Sequence, residues 1–199
     1  MSKTTIPTGG IADDAISEEH IDATAITGTT ALTVEPSTTD EILISDAGTL
    51  KRMDLSLLMG QPSFFAVADG NQGSIANNTW TKINLGSEVF DAGGTFASSR
   101  FTPAIAGFYI IHFGCYIGNI DDGERVEVKL YKNGSEYTYG AHKHYSSLAN
   151  ADGMITSSTC VQMDADDYIE LYAQHNEGSS ETAYASRTYM FGYKTLGTL

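Results

Sequence analysis

No Phe, Tyr or Trp occurs before Phe64, and all 20 aromatic residues (8 Phe, 11 Tyr, 1 Trp) fall between there and the C-terminus. Aromatic side chains dominate the buried area of a small core, so only residues 61–199 can build one. Residues 1–60 are rich in Thr, Ser and Ala and carry ten Asp/Glu against three Lys/Arg, too little apolar surface for a core of their own. The 199-residue chain therefore reads as a domain of residues 61–199 preceded by an anchoring arm, residues 1–60, that is ordered by docking to a partner.

Within the arm, Ile11, Ile16 and Ile21 recur at five-residue steps, which matches neither a helical stripe nor strand alternation. The arm is expected to be largely irregular, with one helical turn at residues 17–20 capped by Ser17. Two apolar runs then flank Asp46-Ala47-Gly48, so a β-hairpin is expected near residues 40–55, with Gly48 at positive φ.

From Phe64 the pattern is β throughout. Residues 64–68 form a first strand and residues 80–85 alternate, with Gly86, Asp91, Gly93 and Gly94 marking turns. In residues 107–117 the odd positions Tyr109, Ile111, Phe113, Cys115 and Ile117 make one apolar face, which marks a central strand. Residues 125–132 alternate apolar and charged side chains into an Asn133-Gly134 turn. Further strands are expected at residues 137–145, 154–163, 168–172 and 187–194. Many short strands and no long helix define an all-β, antiparallel sandwich.

Charge and motifs exclude other classes. Eleven basic against 25 acidic residues give a net charge of −14, so no phosphate-binding groove and no nucleic-acid partner is expected. The most apolar run, residues 108–117, is too short to span a bilayer and is broken by His112 and Gly114. The sequence MSKTTIPTGG opens without an apolar segment, so no secretory signal is expected. Gly-x-Ser-x-Gly, His-Glu-x-x-His and phosphate-loop patterns are missing, and no carboxylate pair stands out among scattered acids, so no catalysis is expected. Cys115 lies in the buried strand phase and Cys160 in the opposite phase from Val161 and Met163, which argues against a disulfide between them.

The run Thr81-Lys-Ile-Asn-Leu-Gly-Ser-Glu-Val-Phe-Asp91, followed by Phe96, Phe101-Thr-Pro103 and Ala106-Gly-Phe-Tyr109, resembles the opening of the globular head in the complement C1q and tumour necrosis factor superfamily. Val128-Lys-Leu-Tyr-Lys-Asn-Gly134, Val161-Gln-Met163 with Asp167-Tyr-Ile169, and Met190-Phe-Gly-Tyr193 are similar to its later landmarks, in the same order. Asp166 departs from the pattern by standing where that family prefers glycine. The resemblance covers residues 64–199 and implies a ten-stranded jelly roll that assembles as a homotrimer, its inner sheet around the threefold axis. Eleven tyrosines agree with subunit contacts, where half-apolar, half-polar rings are favoured. The hairpin near residues 40–55 resembles those preceding the C-terminal module of phage tail-fibre and virion-appendage proteins. No Gly-X-Y stalk precedes the head, so the arm must do a stalk's work.

Candidate ligand sites follow. His142 and His144, two apart on a strand, point to one face, and on a threefold axis six imidazole nitrogens would suit Fe(II); the alternative is two solvated histidines. Asp121, Asp122 and Glu124, or Asp164, Asp166 and Asp167, could hold calcium, although neither loop has EF-hand spacing. No other cofactor is expected. Tyr137, Tyr139, Tyr145 and Asn150 are candidates either for host recognition or for the trimer contact.

Two functional classes remain. In the first, the chain is a non-enzymatic bacteriophage virion protein, a trimeric tail-fibre or head/neck appendage assembled in the host cytoplasm. Residues 1–60 would dock to other virion proteins while the head touches a host glycan or receptor; a capsid decoration protein that stabilises the shell is a variant. The second is a free extracellular binding module of C1q/TNF type.

Overall fold

The computed structural model describes residue 10 and residues 27–59, 61–146 and 151–195. The helical turn expected at residues 17–20 lies outside them. The first element is the expected hairpin, β1 (Glu41–Asp46) paired antiparallel with β2 (Thr49–Asp54). Its two-residue turn has both Ala47 (φ 49°) and Gly48 (φ 83°) at positive φ, the combination that follows the right-handed twist of paired strands. A single helical turn, α1 (Ser56–Met59), leads out of it toward the head.

The head consists of β3 (Ser63–Val67), β4 (Gln72–Ile75), β5 (Thr81–Lys82), β6 (Ser87–Ala92), β7 (Phe96–Ala97), β8 (Arg100–Phe101), β9 (Gly107–Ile120), β10 (Arg125–Lys132), β11 (Ser135–His144), β12 (Ala151–Met163), β13 (Ile169–His175), β14 (Glu181–Ala183) and β15 (Tyr189–Lys194). One sheet has the order β4-β14-β9-β15-β3-β6 with β12 also on β9; the other runs β11-β10-β13-β8-β7 with β5 also on β13. The pairings are antiparallel. This is the antiparallel jelly-roll sandwich, with a core between the two sheets.

Strand phase places that core. Tyr109, Ile111, Phe113, Cys115 and Ile117 on β9 are all fully buried, and Phe64, Ala66 and Met190 join them from the neighbouring strands. Val126, Val128 and Leu130 of β10 and Ile169, Leu171 and Ala173 of β13 face them from the other sheet. Phe64 stacks on Phe101 at 4.4 Å and on Phe96 at 5.1 Å, so the short strands β7 and β8 are held mainly by aromatic packing. Cys115 is buried, Cys160 exposed, and both are free, as the opposite phases implied.

Two ends of the sandwich are closed by polar ties. His175, fully buried on β13, places Nε2 2.8 Å from the Ile75 carbonyl at the end of β4, and its Nδ1 accepts from the Glu177 N–H at 3.3 Å. At the opposite end the loop between β12 and β13 is organised by Asp167. Its carboxylate accepts from the Asp164 N–H (2.7 Å), the Asn133 amide (2.6 Å) and the Lys132 ammonium (2.7 Å). Asp166 stays out of the left-handed region in this turn, so the turn does not require a glycine there.

Some boundaries differ from expectation. The last strand starts at Tyr189, because residues 185–187 form a 3₁₀ turn, and Tyr168 precedes β13. The short strands β4, β6 and β14 complete the larger sheet in segments with no clear alternation.

Candidate functional site

The strands β3, β9 and β15 of the larger sheet bury one side-chain phase, so the other phase decides what that sheet shows outward. The register aligns that phase into a row. Phe90 of β6 lies opposite Phe65 of β3, Phe65 opposite Phe191 of β15, Phe191 opposite His112 of β9, and His112 opposite Ser158 of β12. The rings touch along the row: Phe90 to Phe65 at 6.3 Å, Phe65 to Phe191 at 5.8 Å, and Phe191 stacked on His112 at 4.6 Å. Tyr189 joins from the next level, 6.4 Å from Phe65 and 6.1 Å from Phe191.

The row contains no Asp, Glu, Lys or Arg. On the next level Tyr193 is opposite Ser63 and Ile110, and Ile110 is opposite Cys160. Phe65, Phe90, Phe191 and Tyr193 line an open depression of about 410 Å³. Phe90 is 50% exposed and Tyr193 47%, so large rings stand in solvent on a sheet face that is wide enough to dock against another surface.

The open face of the other sheet is built in the opposite way, because its rings are capped by the chain's own charges. Lys129 lies beneath Trp80, its ammonium 3.8 Å from the ring centroid and 2.7 Å from Glu136. The guanidinium of Arg100 sits 3.7 Å over Tyr168, and Tyr131 stacks on Tyr172 at 3.8 Å. Glu170, buried, accepts from both Lys82 (2.8 Å) and Arg100 (2.9 Å). Burial pushes this carboxyl up, but the two hydrogen bonds and two positive charges outweigh it and hold Glu170 below the ordinary glutamate value. Such a face is finished by its own side chains and suits contact with water.

The candidate residues fall in different places. His142 and His144 are exposed on one face of β11, ring centroids 5.7 Å apart, beside Glu127 and Arg125 of β10. β11 is the edge strand of the smaller sheet, so the pair lies on the other side of the sandwich from the aromatic row. Tyr137 is 40% exposed near Lys132. Tyr145, a candidate for recognition or the trimer contact, packs in the chain's own core at 4% exposure, in the strand phase opposite His142 and His144, its backbone continuing the ladder to Glu124 and Gly123. Tyr139 is placed through its backbone, opposite Lys129, while Asn150 lies outside the described residues.

The acidic loops are held by hydrogen bonds of their own. Asp167 spends its oxygens on Lys132, Asn133 and Asp164, and the Asp121 N–H donates to Glu177 at 2.7 Å. Among the described residues no three His, Cys, Asp or Glu side chains converge as metal ligands. The sequence signal for Phe65, His112 and Phe191 is that each lies in the second phase of a strand whose first phase marks the core; their alignment with Phe90 comes from the pairing register.

No family model matches the chain, and no curated protein matches its sequence. Among solved structures it is similar to the globular domain of a zebrafish complement 1qA protein, with a TM-score of 0.50 and 11% identity over 69% of this chain and 99% of that one. It is likewise similar to murine APRIL at pH 5.0, with a TM-score of 0.50 and 11% identity over 68% of this chain and 99% of that one. The fold expected from the order of sequence landmarks, a C1q/TNF-like jelly roll, is therefore the fold observed.

Proposed function

We propose that the chain is a non-enzymatic, homotrimeric binding module of a phage virion appendage, in which the aromatic sheet face is buried between copies. The observation that carries this reading is the contrast between the two sheets. The row Phe90–Phe65–Phe191–His112 is bare and contains no Asp, Glu, Lys or Arg, whereas the opposite face is capped by Lys129, Arg100, Lys82 and Glu170. Burying bare aromatic surface is worth about 25 cal/mol per Å² removed from water. A partner other than a copy would have to match a face without acidic or strongly basic side chains on a chain of net charge −14, and a closed ring of copies does so without bringing acidic surfaces together first.

In such an assembly β11 points outward, so His142 and His144 stand away from the axis and hold no axial ion. The capped sheet and the loops at its ends, including Tyr137, are what the assembly presents to a host glycan or receptor. The acidic arm supplies the link to the particle. Sedimentation of the full chain from nanomolar to tens of micromolar tests the oligomer: a trimer mass is expected, and a monomer throughout would overturn it. Labelling virions with an antibody raised against residues 64–199 tests the location, and unlabelled particles would remove the virion reading.

A further inference from the structure

Strand β11 slips against β10 at two places, and one of them falls at Tyr137. Lys132 lies opposite Ser135 and Tyr131 opposite Glu136, but Leu130 lies opposite Thr138, so Tyr137 is the extra residue of a β-bulge. A bulge turns one side chain out of the regular alternation of its strand, and bulges gather beside functional sites for that reason. Here it leaves the Tyr137 ring 40% exposed on the wall of an open depression of about 320 Å³, whose other walls are Lys132, Gln162, Asp164 and Asp167.

The depression is built before anything enters it. It lies where the Asn133-Gly134 turn meets the loop between β12 and β13, and the two are tied. The Asn133 N–H donates to the Tyr168 carbonyl (3.0 Å) and the Tyr168 N–H to the Asn133 side-chain oxygen (2.9 Å). The Lys132 ammonium donates to Asp167 (2.7 Å) and to the Gln162 carbonyl (2.8 Å), which uses two of its three N–H groups. Asp164 gives its N–H to Asp167 (2.7 Å) and its carbonyl accepts from the Asp167 N–H (3.2 Å), so its exposed carboxylate is held in place by its own backbone.

Resting on the reading that the ends of the capped sheet face the host, we infer that this depression is a glycan-binding site that takes one neutral sugar ring, its C–H face against Tyr137 and its hydroxyls bonded to Asp164 and Lys132. A pyranose has an apolar face and a rim of hydroxyls, so it needs an aromatic ring beside charged hydrogen-bonding groups. An anionic sugar would meet the Asp164 carboxylate while Lys132 is already paired with Asp167. A cationic sugar laid on Tyr137 would meet the Lys132 ammonium, 5.8 Å from the centroid of that ring. A neutral polyol takes both groups as partners.

The depression between Phe65, Phe90, Phe191 and Tyr193 offers rings without such partners, and sugar hydroxyls covered there would lose water without gaining a charged hydrogen bond. Size agrees as well, since about 320 Å³ is at the small end of ligand pockets and suits a single sugar unit. One ring in an open site binds weakly, with a Kd of about 1–10 mM. Three copies on one assembly would raise avidity for a repeated glycan by about a hundredfold.

The test uses the full chain and saturation-transfer NMR. Methyl α-D-glucopyranoside, methyl α-D-mannopyranoside, methyl β-D-galactopyranoside and N-acetylglucosamine are the neutral probes, with glucosamine and galacturonic acid as charged ones. At least one neutral probe should bind with a Kd of about 1–10 mM. Tyr137→Ala and Asp164→Asn should each weaken it by about tenfold, with the melting temperature unchanged because both side chains are exposed. Tyr193→Ala should bind as the native chain does.

No binding by any neutral probe, binding that either site variant keeps, or stronger binding of a charged sugar overturns the site and leaves the trimeric virion reading standing. Loss of binding in Tyr193→Ala also overturns it, by placing the sugar on the aromatic sheet face, and counts against burial of that face between copies. Binding through Tyr137 and Asp164 in a chain that sediments as a monomer supports the site and removes the trimer alone.

Discussion

His112 lies flat against Phe191, ring centroids 4.6 Å apart and planes 15° from parallel, with Ser158 as its other cross-strand partner. A histidine in the middle strand of a wide sheet thus finds an aromatic face on one side and a hydroxyl on the other, with no carboxylate opposite it. This pair marks the centre of the surface that distinguishes one side of the sandwich from the other.

The two cysteines report on that surface without mutation. Cys160 is exposed and lies opposite Ile110, one level from His112, while burial pushes the Cys115 thiol up to about 12. A thiol reagent should label one cysteine per chain at neutral pH and leave Cys115 untouched until unfolding. Labelling of Cys160 should slow by about tenfold or more when the chain assembles. A rate independent of chain concentration would mean that the aromatic face stays open.

Gly192 separates Phe191 from Tyr193 and fills the core side of β15. A Cβ there would meet Ile111 Cδ1 at 2.5 Å and the Ile110 carbonyl at 2.8 Å, and the backbone atom cannot swing away. Gly192→Ala should destabilise the head by roughly 1–3 kcal/mol in urea unfolding. A loss under about 0.5 kcal/mol would show that the strands can spread at this point.

Asp167 gives a pH signature. Burial pushes its carboxyl up, but hydrogen bonds from Lys132, the Asp164 N–H and Asn133, with the charge of Lys132, bring it down from 3.8 to about 2. A depressed folded pKa adds stability that is fully present above the unfolded value near 4 and is lost as the pH falls through about 2. Asp167→Asn should therefore cost about 2 kcal/mol at pH 7, and the difference from the native chain should close between pH 4 and 2. A difference that persists unchanged at pH 2 would assign the loop's order to something other than this carboxylate.

Glu170 should be the most sensitive charged residue of the capped sheet. Its side chain is 4% exposed and accepts from two cations, so Glu170→Gln leaves both without their acceptor charge and should cost about 2 kcal/mol. Lys82→Met should cost less, because Arg100 remains to pair the carboxylate. Equal losses in the two variants would argue against the shared acceptor.

The readable part of the fold was the part set by strict alternation. β9 puts every odd residue from Tyr109 to Ile117 in the core, and Asn133-Gly134 and Ala47-Gly48 turn where hairpin chemistry requires. β6 was hidden because Ser87–Ala92 keeps a bulge against β3 and leaves most of its side chains exposed, so no period survives. Tyr145 is buried by the same alternation that turns His142 and His144 outward, so its phase was legible and its core partners were not. The aromatic row needed pairing register as well as phase: Phe65, His112 and Phe191 are 47 and 79 residues apart in sequence and become neighbours only when β3, β15 and β9 are laid side by side.

Apolar contacts between the layers of a sandwich have no preferred direction, so by themselves they set the spacing of the sheets more firmly than their alignment. The imidazole of His175 is different, because one nitrogen reaches the Ile75 carbonyl across the layer gap while the other receives the Glu177 N–H. Sliding one sheet past the other by a single residue would strip two buried polar groups of their partners at once, a cost of several kcal/mol that the apolar layer cannot return. One ring thereby works as a locating pin beside the Asn78 N–H bond to the His175 carbonyl, and replacing it with phenylalanine would leave the Ile75 carbonyl without its imidazole partner.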